Sequence, residues 1–327
     1  MERKEDRRKA GLDDRHTDYA AKPLAEHVKD WYEALKVSVS ERRQKDLRER
    51  MAKLIAVAEW KRLADITEDT VRAALAKLDI GLQTKNHYLT HVKQFLRWCV
   101  PERLPMNPLC RMKRWNVSTD RRHDRRDLTP EEQAKLIATT EAGPVRCELD
   151  GPTRAMLYDF AFATGLRRGE LRSLSADSFD FDSDTPTVTV AAAYSKHRKQ
   201  DVIPLPPSVA ARMRTWLADG RPLWPNLTRN TAYMLRGDLK AAGIPYVVEG
   251  PDGPLFADFH STRHTYATAV CRTDAPIKDM MAMTRHSTPD LFLKTYAKTN
   301  IWNKARVAEQ LPDPRGNTGD GQMKATG

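Results

Sequence analysis

The sequence predicts a mainly α-helical protein of two domains, with a small antiparallel β-sheet in the second. Between residues 21 and 112 apolar residues recur about every 3.6 positions, the period of an amphipathic helix. A basic, polar segment without that period follows at residues 113–127. In residues 128–311, helical segments flank three short runs that are typical of strands. A chain of 327 residues is long enough for two domains.

The composition favours a polyanionic partner. The chain has 55 lysines and arginines against 44 acidic residues, a formal net charge of +11 and a pI of about 9.5. Such an excess is typical of nucleic-acid-binding proteins, although a basic protein without that partner is the alternative. The four cysteines have no metal-ligand spacing and suit a reducing compartment. Because the sequence shows neither a membrane-spanning apolar run nor a signal peptide, we expect a cytoplasmic protein.

The first domain is predicted to be an all-α unit at residues 21–112, preceded by a mobile arm at residues 1–20. The arm is highly charged and has no helical apolar period. Thr67 is the predicted N-cap of the third of four helices, and the fourth spans about 84–98. The four apolar faces consist of Val28, Trp31, Tyr32 and Leu35; Leu47, Met51, Leu54 and Ile55; Val71, Leu75 and Leu78; and Tyr88, Val92, Phe95 and Leu96.

Basic side chains on the fourth helix and in the following linker are candidates for binding DNA phosphates. On the helix they are Lys85, Lys93 and Arg97, for which a solvated surface role is the alternative. In the linker, residues 113–127, they are Arg121, Arg122, Arg125 and Arg126. A basic linker between two DNA-binding domains would let them close around a duplex.

The second domain, residues 128–311, begins with Thr129-Pro-Glu-Glu132, a capping box with proline at the first helical position. A later helix ends at Gly165, which can adopt a left-handed backbone, so Arg167 lies on the turn before the next helix. Strands are predicted at 179–182, 187–191 and 202–205, with a basic hairpin loop at 194–200. A last helix is predicted at 301–311, followed by a disordered tail at 312–327.

Six polar residues of this domain suit phosphoryl transfer at a phosphodiester. They are Arg167, Lys196, His260, Arg263, His286 and Tyr296. Two arginines can neutralise the non-bridging oxygens of the transition state through bidentate bonds. A tyrosine hydroxyl can attack phosphorus, and a lysine can protonate the departing sugar oxygen. The sequence shows no acidic cluster for a divalent metal and no glycine-rich nucleotide loop, so no cofactor is expected.

Four motifs around these residues resemble those of the tyrosine recombinases, the phage integrase family. Ala163-Thr-Gly-Leu-Arg-Arg-Gly-Glu-Leu171 looks like the first arginine motif, and Ser195-Lys-His-Arg-Lys-Gln-Asp-Val-Ile-Pro-Leu205 is similar to the lysine hairpin. His260-Ser-Thr-Arg-His-Thr-Tyr-Ala267 resembles the family's His-x-Leu-Arg-His-Thr motif. Arg285-His-Ser287, with Tyr296 beyond it, resembles the final Gly-His-Ser and tyrosine. The resemblance spans about residues 20–311 and implies an all-α SAM-like core-binding domain followed by a mixed α/β catalytic domain.

The resemblance also implies a role for each residue. Arg167 and Arg263 would hold the scissile phosphate, and Lys196 would protonate the 5′ oxygen. His260 would accept a proton or bind the phosphate, and His286 would hydrogen-bond the phosphate.

Tyr296 would be the nucleophile, leaving a 3′-phosphotyrosine and a free 5′ hydroxyl. Two such exchanges through a four-way junction would recombine two duplexes, without metal or ATP. The resemblance further implies double-stranded DNA as substrate, a homo-tetramer on DNA with residues 301–311 docking on a neighbour, and possible accessory or directionality factors. It implies a nucleoid-associated protein encoded by a bacterium or phage.

The sequence departs from the family pattern at several positions. Ser195 and His197 replace glycines beside the lysine, which makes Lys199 a rival for Lys196, and Asp201 replaces a basic residue. Further departures are Thr262 in place of leucine and Thr284-Arg285 in place of Leu-Gly. Glu170 and His264 are expected to be structural. Two alternatives remain: DNA cleavage and resealing of the type IB topoisomerase kind, and a catalytically silent DNA-binding factor on the same fold.

Overall fold

The computed structural model describes residues 15–120, 122–194, 199–251 and 253–286. The chain divides into two compact units between Arg122 and His123, and each unit has its own hydrophobic core. Within the described ranges, none of the helices combines the length and the apolar character needed to cross a lipid bilayer.

The first unit is helical throughout its described part. Its helices are α1 (Arg15–Ala20), α2 (Leu24–Leu35), α3 (Glu41–Ala58), α4 (Glu68–Ala76) and α5 (Leu82–Cys99). Four of them correspond to the helices predicted from the apolar period, and Thr67 caps α4 by accepting a hydrogen bond from the Thr70 backbone N–H. Trp31 and Phe95 pack in the core with ring centroids 5.3 Å apart.

Residues 15–20 of the predicted mobile arm form helix α1, and residues 1–14 lie outside the described ranges. Tyr19 anchors α1 by donating from its hydroxyl to Glu102 over 2.6 Å. The Tyr19 carbonyl also lies 3.1 Å from Nε2 of the fully buried His27. These contacts are made with residues distant in the sequence, so the local charge pattern of the arm did not reveal them.

The segment predicted as a linker, residues 113–127, is divided between the units. Asn86 of α5 holds the Trp115 backbone through two hydrogen bonds of 2.9 Å, one to its N–H and one to its carbonyl. Asp124–Arg125 forms strand β1 in the second unit. Both parts of the segment are thus structural members of the adjoining units.

The second unit packs helices around two small sheets. Its helices are α6 (Pro130–Glu141), α7 (Gly151–Thr164), α8 (Arg168–Arg172), α9 (Pro207–Ala218), α10 (Thr231–Ala241), α11 (Ser261–Cys271) and α12 (Ile277–Thr284). The predicted antiparallel sheet is confirmed as β2 (Phe179–Asp180), β3 (Thr187–Val190) and β4 (Asp201–Pro204), in the order β2-β3-β4.

A second sheet was not predicted. It contains β5 (Val247–Gly250) and β6 (Gly253–Phe256), which are antiparallel, and β1, which pairs in parallel with β6. Asp124 lies opposite Leu255 in that pairing. A two-residue strand is too short to show an alternating pattern, and β5 and β6 contain glycine and proline, so the sequence carried little strand signal here.

Helix α7 lies at the centre of this unit and ends where the sequence predicted. The Asp150 side chain caps its start by accepting from the Thr153 N–H over 2.8 Å. Gly165 ends it with φ of +60°, in the left-handed region that glycine adopts readily. A Cβ on Gly165 would lie 2.3 Å from Cδ1 of Tyr266. Glycine therefore permits α11 to approach the end of α7 closely.

Candidate active site

The first arginine of the site lies on the turn between α7 and α8, as the sequence predicts. Arg167 is the N-cap residue of α8, and Glu170 holds it twice. One carboxylate oxygen accepts from the Arg167 backbone N–H over 2.7 Å, and the other accepts from Nη1 over 2.9 Å. Glu170 is buried, whereas 27% of the Arg167 side chain is exposed. Glu170 therefore holds both the backbone and one guanidinium nitrogen of Arg167, while part of the side chain stays exposed to solvent.

The second arginine reaches the same turn from α11. Arg263 is buried, and its Nη1 donates to the carbonyl of Gly165 over 2.7 Å. Its Nη2 donates to the carbonyl of Thr284 at the end of α12. The turn after α7 thus carries Arg167 and binds Arg263, although the two arginines are far apart in the sequence.

His260 comes immediately before α11 and is held by Asp258, which had no signal of its own in the sequence. An oxygen of Asp258 accepts from the backbone N–H groups of His260, at 2.9 Å, and Ser261, at 3.1 Å. Asp258 is itself held by Nε of Arg125, 3.0 Å from both oxygens, and by Nε2 of His123 at 2.9 Å. Burial would raise the pKa of Asp258, but hydrogen bonds from Arg125 and His123 lower it, so the carboxylate stays ionised.

The surroundings of His260 favour its neutral form. The residue retains an exposed face, yet surrounding protein atoms displace much of its water, and the charges of Arg125 and Arg263 add to that effect. Together they lower its pKa to about 4, with Asp258 acting in the opposite direction. A neutral imidazole at pH 7 can accept a proton, as a general base must.

An open cavity of about 250 Å³ adjoins His260 and Arg263. Its lining comprises Leu166, Arg168, Arg229, Thr231, Ala232, Asp258, Phe259, His260 and Arg263. Two of the six predicted catalytic residues therefore share a concave surface with two arginines that were not predicted. Arg168 and Arg229 had no separate signal, because each is one basic residue among many in a chain of this charge.

His286 follows α12, near the carbonyl that Arg263 binds. Its Nδ1 lies 2.7 Å from the Thr284 hydroxyl, and its backbone N–H donates to the Met281 carbonyl. Arg285, between Thr284 and His286 in the sequence, adopts φ of +55° and places its Nη2 2.9 Å from Glu170. Arg285 was visible in the sequence only as a departure from the family pattern.

Glu170 therefore receives two guanidinium groups. Burial alone would raise its pKa, but the charges of Arg285 and Arg167, with hydrogen bonds from Arg167, hold it below the usual value. An ionised Glu170 links the first arginine of the site to Arg285. The sequence predicted such a structural role for Glu170.

The remaining predicted residues have varied placements. Lys196, Tyr296 and Arg121 lie outside the described residues. Lys85 is partly exposed on α5. On the same helix, Lys93 donates to the Met112 carbonyl over 2.6 Å, and Arg97 donates to the Lys93 carbonyl over 3.3 Å. Arg122 donates to Asp120 over 2.7 Å, and Arg125 donates to Asp258.

Arg126 contradicts its predicted role as a DNA contact. It is buried, with Nη1 2.7 Å from Glu132 and Nη2 2.9 Å from the Pro245 carbonyl. The basic run of the sequence gave no indication that Arg126 pairs with Glu132 of the capping box. Its guanidinium is occupied in holding the start of the second unit.

The described part of the second unit thus carries two arginines and two histidines of the predicted motifs on a helical unit with two small sheets. Residues 126–301 match the model of the phage integrase family, which is more than half of the chain. The chain belongs to the phage integrase family.

Relatives and solved structures agree with this assignment. The tyrosine recombinase XerC of Mycobacterium tuberculosis (strain ATCC 25177 / H37Ra) is 26% identical over 244 residues, 72% of this chain and 77% of the relative. The fold resembles that of the Tn1549 transposon integrase in complex with circular intermediate DNA, with a TM-score of 0.63 and 15% identity over 88% of this chain and 99% of that one. A lambda integrase dimer bound to a COC′ core site gives a TM-score of 0.62 and 14% identity, covering 98% of this chain and 88% of that one.

Proposed function

We propose that this recombinase cleaves and rejoins DNA strands through a 3′-phosphotyrosine intermediate and a four-way junction, without metal or ATP. The observation that supports this most directly is the convergence of Arg167 and Arg263 on one turn. Arg167 is held there by Glu170, and Arg263 by the carbonyl of Gly165. Two guanidiniums held by the same turn would suit the non-bridging oxygens of a single phosphodiester.

The proposed chemistry uses each remaining residue once. The hydroxyl of Tyr296 attacks phosphorus while neutral His260 accepts its proton, and the bond between phosphorus and the 5′ oxygen breaks. Lys196 gives the departing 5′ oxygen its proton, and His286 hydrogen-bonds the phosphate. Attack by the 5′ hydroxyl of a partner strand reverses these steps, releases the tyrosine and reseals the DNA. The phosphotyrosine bond conserves the energy of the phosphodiester, so no ATP is consumed.

The proposed partner is double-stranded DNA, bound by a homo-tetramer. The lambda integrase is known as a tetramer bound to a Holliday junction, and its fold resembles this chain with a TM-score of 0.62. We propose residues 301–311 as the segment that docks on a neighbouring subunit, and accessory or directionality factors as further partners. The proposed DNA contacts are Lys85, Lys93, Arg97, Arg121, Arg122 and Arg125.

Trapping the covalent intermediate tests the proposal. The purified protein is incubated with nicked suicide substrates made from fragments that flank its own gene, beside the Tyr296→Phe variant. We expect an SDS-resistant protein–DNA band with the parent alone, and sequencing of the trapped DNA then identifies the site. A band with both proteins would show that another residue is the nucleophile. Loss of the band with EDTA would contradict the metal-free mechanism.

The same substrates separate the two alternatives. Cleavage and resealing without exchange between two duplexes would indicate activity of the topoisomerase kind. Retention of DNA on a filter without any covalent band would indicate a silent DNA-binding factor.

A further inference from the structure

Arg285 combines an unusual backbone with unusual burial. It follows α12 with φ of +55°, in the left-handed region that residues with a Cβ rarely adopt. Its side chain is only 6% exposed. A charged side chain so deeply buried needs partners, because removing a charge from water is costly.

The partners of Arg285 come from three separate elements. Nη2 lies 2.9 Å from Glu170 of α8 and 3.3 Å from the carbonyl of Gly165 at the end of α7. Nη1 lies 3.8 Å from Asp201, the first residue of β4. Within the described part of the chain, Nε and Nη1 are buried and make no hydrogen bond, so the contact of Nη1 with Asp201 is an ion pair without one.

These contacts place Arg285 between the two arginines of the site. It shares Glu170 with Arg167, and it shares the Gly165 carbonyl with Arg263. The third contact, with Asp201, is made to strand β4, which pairs with β3 and follows the predicted Lys196 segment in the chain. Arg285 therefore touches both the phosphate-holding side of the site and the strand that carries the loop of Lys196.

We propose that Arg285 is a positioning residue that, through Asp201, holds strand β4 in place relative to Arg167 and Arg263. The inference rests on the proposed function, in which Lys196 protonates the leaving 5′ oxygen. Asp201 lies five positions after Lys196 in the sequence, so we expect a shift of β4 to move the segment that carries the proposed proton donor. The two departures from the family pattern, Arg285 and Asp201, are explained together, because they are partners of opposite charge.

The consequence is a specific kinetic defect. Weakening the contact between Asp201 and Arg285 impairs protonation of the leaving group, while the pairing of Glu170 with both arginines is retained. A substrate whose leaving group needs no proton is therefore insensitive to the change. Sulfur in place of the 5′ bridging oxygen provides one, because a thiolate leaves without protonation.

The experiment compares Asp201→Asn with the parent on the DNA site recovered by trapping, as the ordinary phosphodiester and as the 5′-bridging phosphorothiolate. We expect cleavage of the phosphodiester to fall by about 10- to 100-fold, as for a displaced general acid, and cleavage of the phosphorothiolate to be unchanged. Asp182→Asn is the matched control, since Asp182 follows β2 of the same sheet and pairs at the surface with Arg214. Equal losses on both substrates, or no loss, would overturn the proposal.

Two further variants separate this inference from the proposed function. Lys196→Ala should be slow on the phosphodiester and recover on the phosphorothiolate, and failure to recover would refute Lys196 as the proton donor. Hydrogen exchange of the β4 amides tests the contact without DNA. Exchange should rise in Arg285→Gly and in Asp201→Asn but not in Asp182→Asn. Unchanged exchange in Arg285→Gly and Asp201→Asn would refute the coupling between Arg285 and β4, whatever the role of Lys196.

Discussion

Replacement of Glu170 by glutamine tests the electrostatic centre of the site. The carboxylate is 1% exposed and faces Arg167 and the buried Arg285. Glutamine has nearly the same shape, so the change removes the negative charge while leaving little empty space. Removing one partner of a buried ion pair costs about 3–5 kcal/mol, because the other charge stays buried and uncompensated. We expect about 3 kcal/mol here, since the amide oxygen still accepts one hydrogen bond and Asp201 still faces Arg285.

Calorimetry measures this effect on the unfolding transition of the second unit. In a unit of this size about 1 kcal/mol corresponds to about 2–4 °C, so Tm should fall by about 6–12 °C at pH 7. Because the pKa of Glu170 is lower in the folded state, its contribution is present above the unfolded value of 4.5. It is lost as pH falls through the folded pKa. The difference between parent and variant should therefore shrink below about pH 4.5.

Glu131→Gln provides the control for the Glu170 variant. Glu131 is exposed in the first turn of α6, away from the arginine pair. Its replacement should leave Tm within about 2 °C of the parent, as expected for a surface substitution worth less than about 0.5 kcal/mol. A Tm for Glu170→Gln equal to that of the control would refute the reasoning that the ion pair stabilises this site.

Three further changes give distinct outcomes. Gly165→Ala should destabilise the second unit by more than about 1 kcal/mol in denaturant unfolding, because alanine is disfavoured at φ of +60° and its Cβ would meet Tyr266. Asp238→Ala should cost about 3–5 kcal/mol in the same assay, because it leaves the fully buried Arg154, whose Nε lies 2.9 Å away, without its carboxylate. His91→Phe should flatten the pH dependence of the stability of the first unit between about pH 6.5 and 4. Burial, followed by nearby arginines, lowers the pKa of His91 to about 4, so acidification favours the unfolded parent by up to about 3 kcal/mol.

Each of these changes has its own control or opposing outcome. Asp159→Ala removes a carboxylate that pairs with Arg212 at the surface and should cost less than about 1 kcal/mol. If Asp238→Ala cost no more than Asp159→Ala, the reasoning that burial makes the Arg154–Asp238 ion pair costly to break would be refuted. A stable Gly165→Ala protein would show that α11 can move away from the turn. An unchanged pH profile in His91→Phe would assign the acid sensitivity to other groups.

Local signals predicted the helices and turns that support the site. Gly165 ends α7, and Thr129 and Glu132 form the expected capping box. Such signals involve residues three or four positions apart, where helix periodicity and caps have a direct effect. The three strands of the antiparallel sheet were found for a similar reason, since residues that alternate or branch at Cβ suit a short strand. The candidate reactive residues were chosen by chemical type, and Arg167, His260, Arg263 and His286 all lie in the second unit.

Local sequence signals could not predict pairings between distant parts of the chain. Asp258 holds Arg125 across 133 positions, and Arg126 is buried against the Pro245 carbonyl across 119 positions. A basic run gives each arginine the same appearance in sequence, while burial decides which remain accessible to DNA. That distinction reversed the prediction for Arg126 and gave Arg125 a role beside His260.

The sequence by itself predicted most of the helices, the antiparallel sheet, the basic character of the chain and the candidate reactive residues, because these follow from local period and chemical type. Only the tertiary structure decided which charged side chains pair with one another. Arg285 and Glu170 are 115 positions apart in sequence and 2.9 Å apart in space. Long-range packing brings them together, and the cost of burying an unpaired charge makes that pairing necessary.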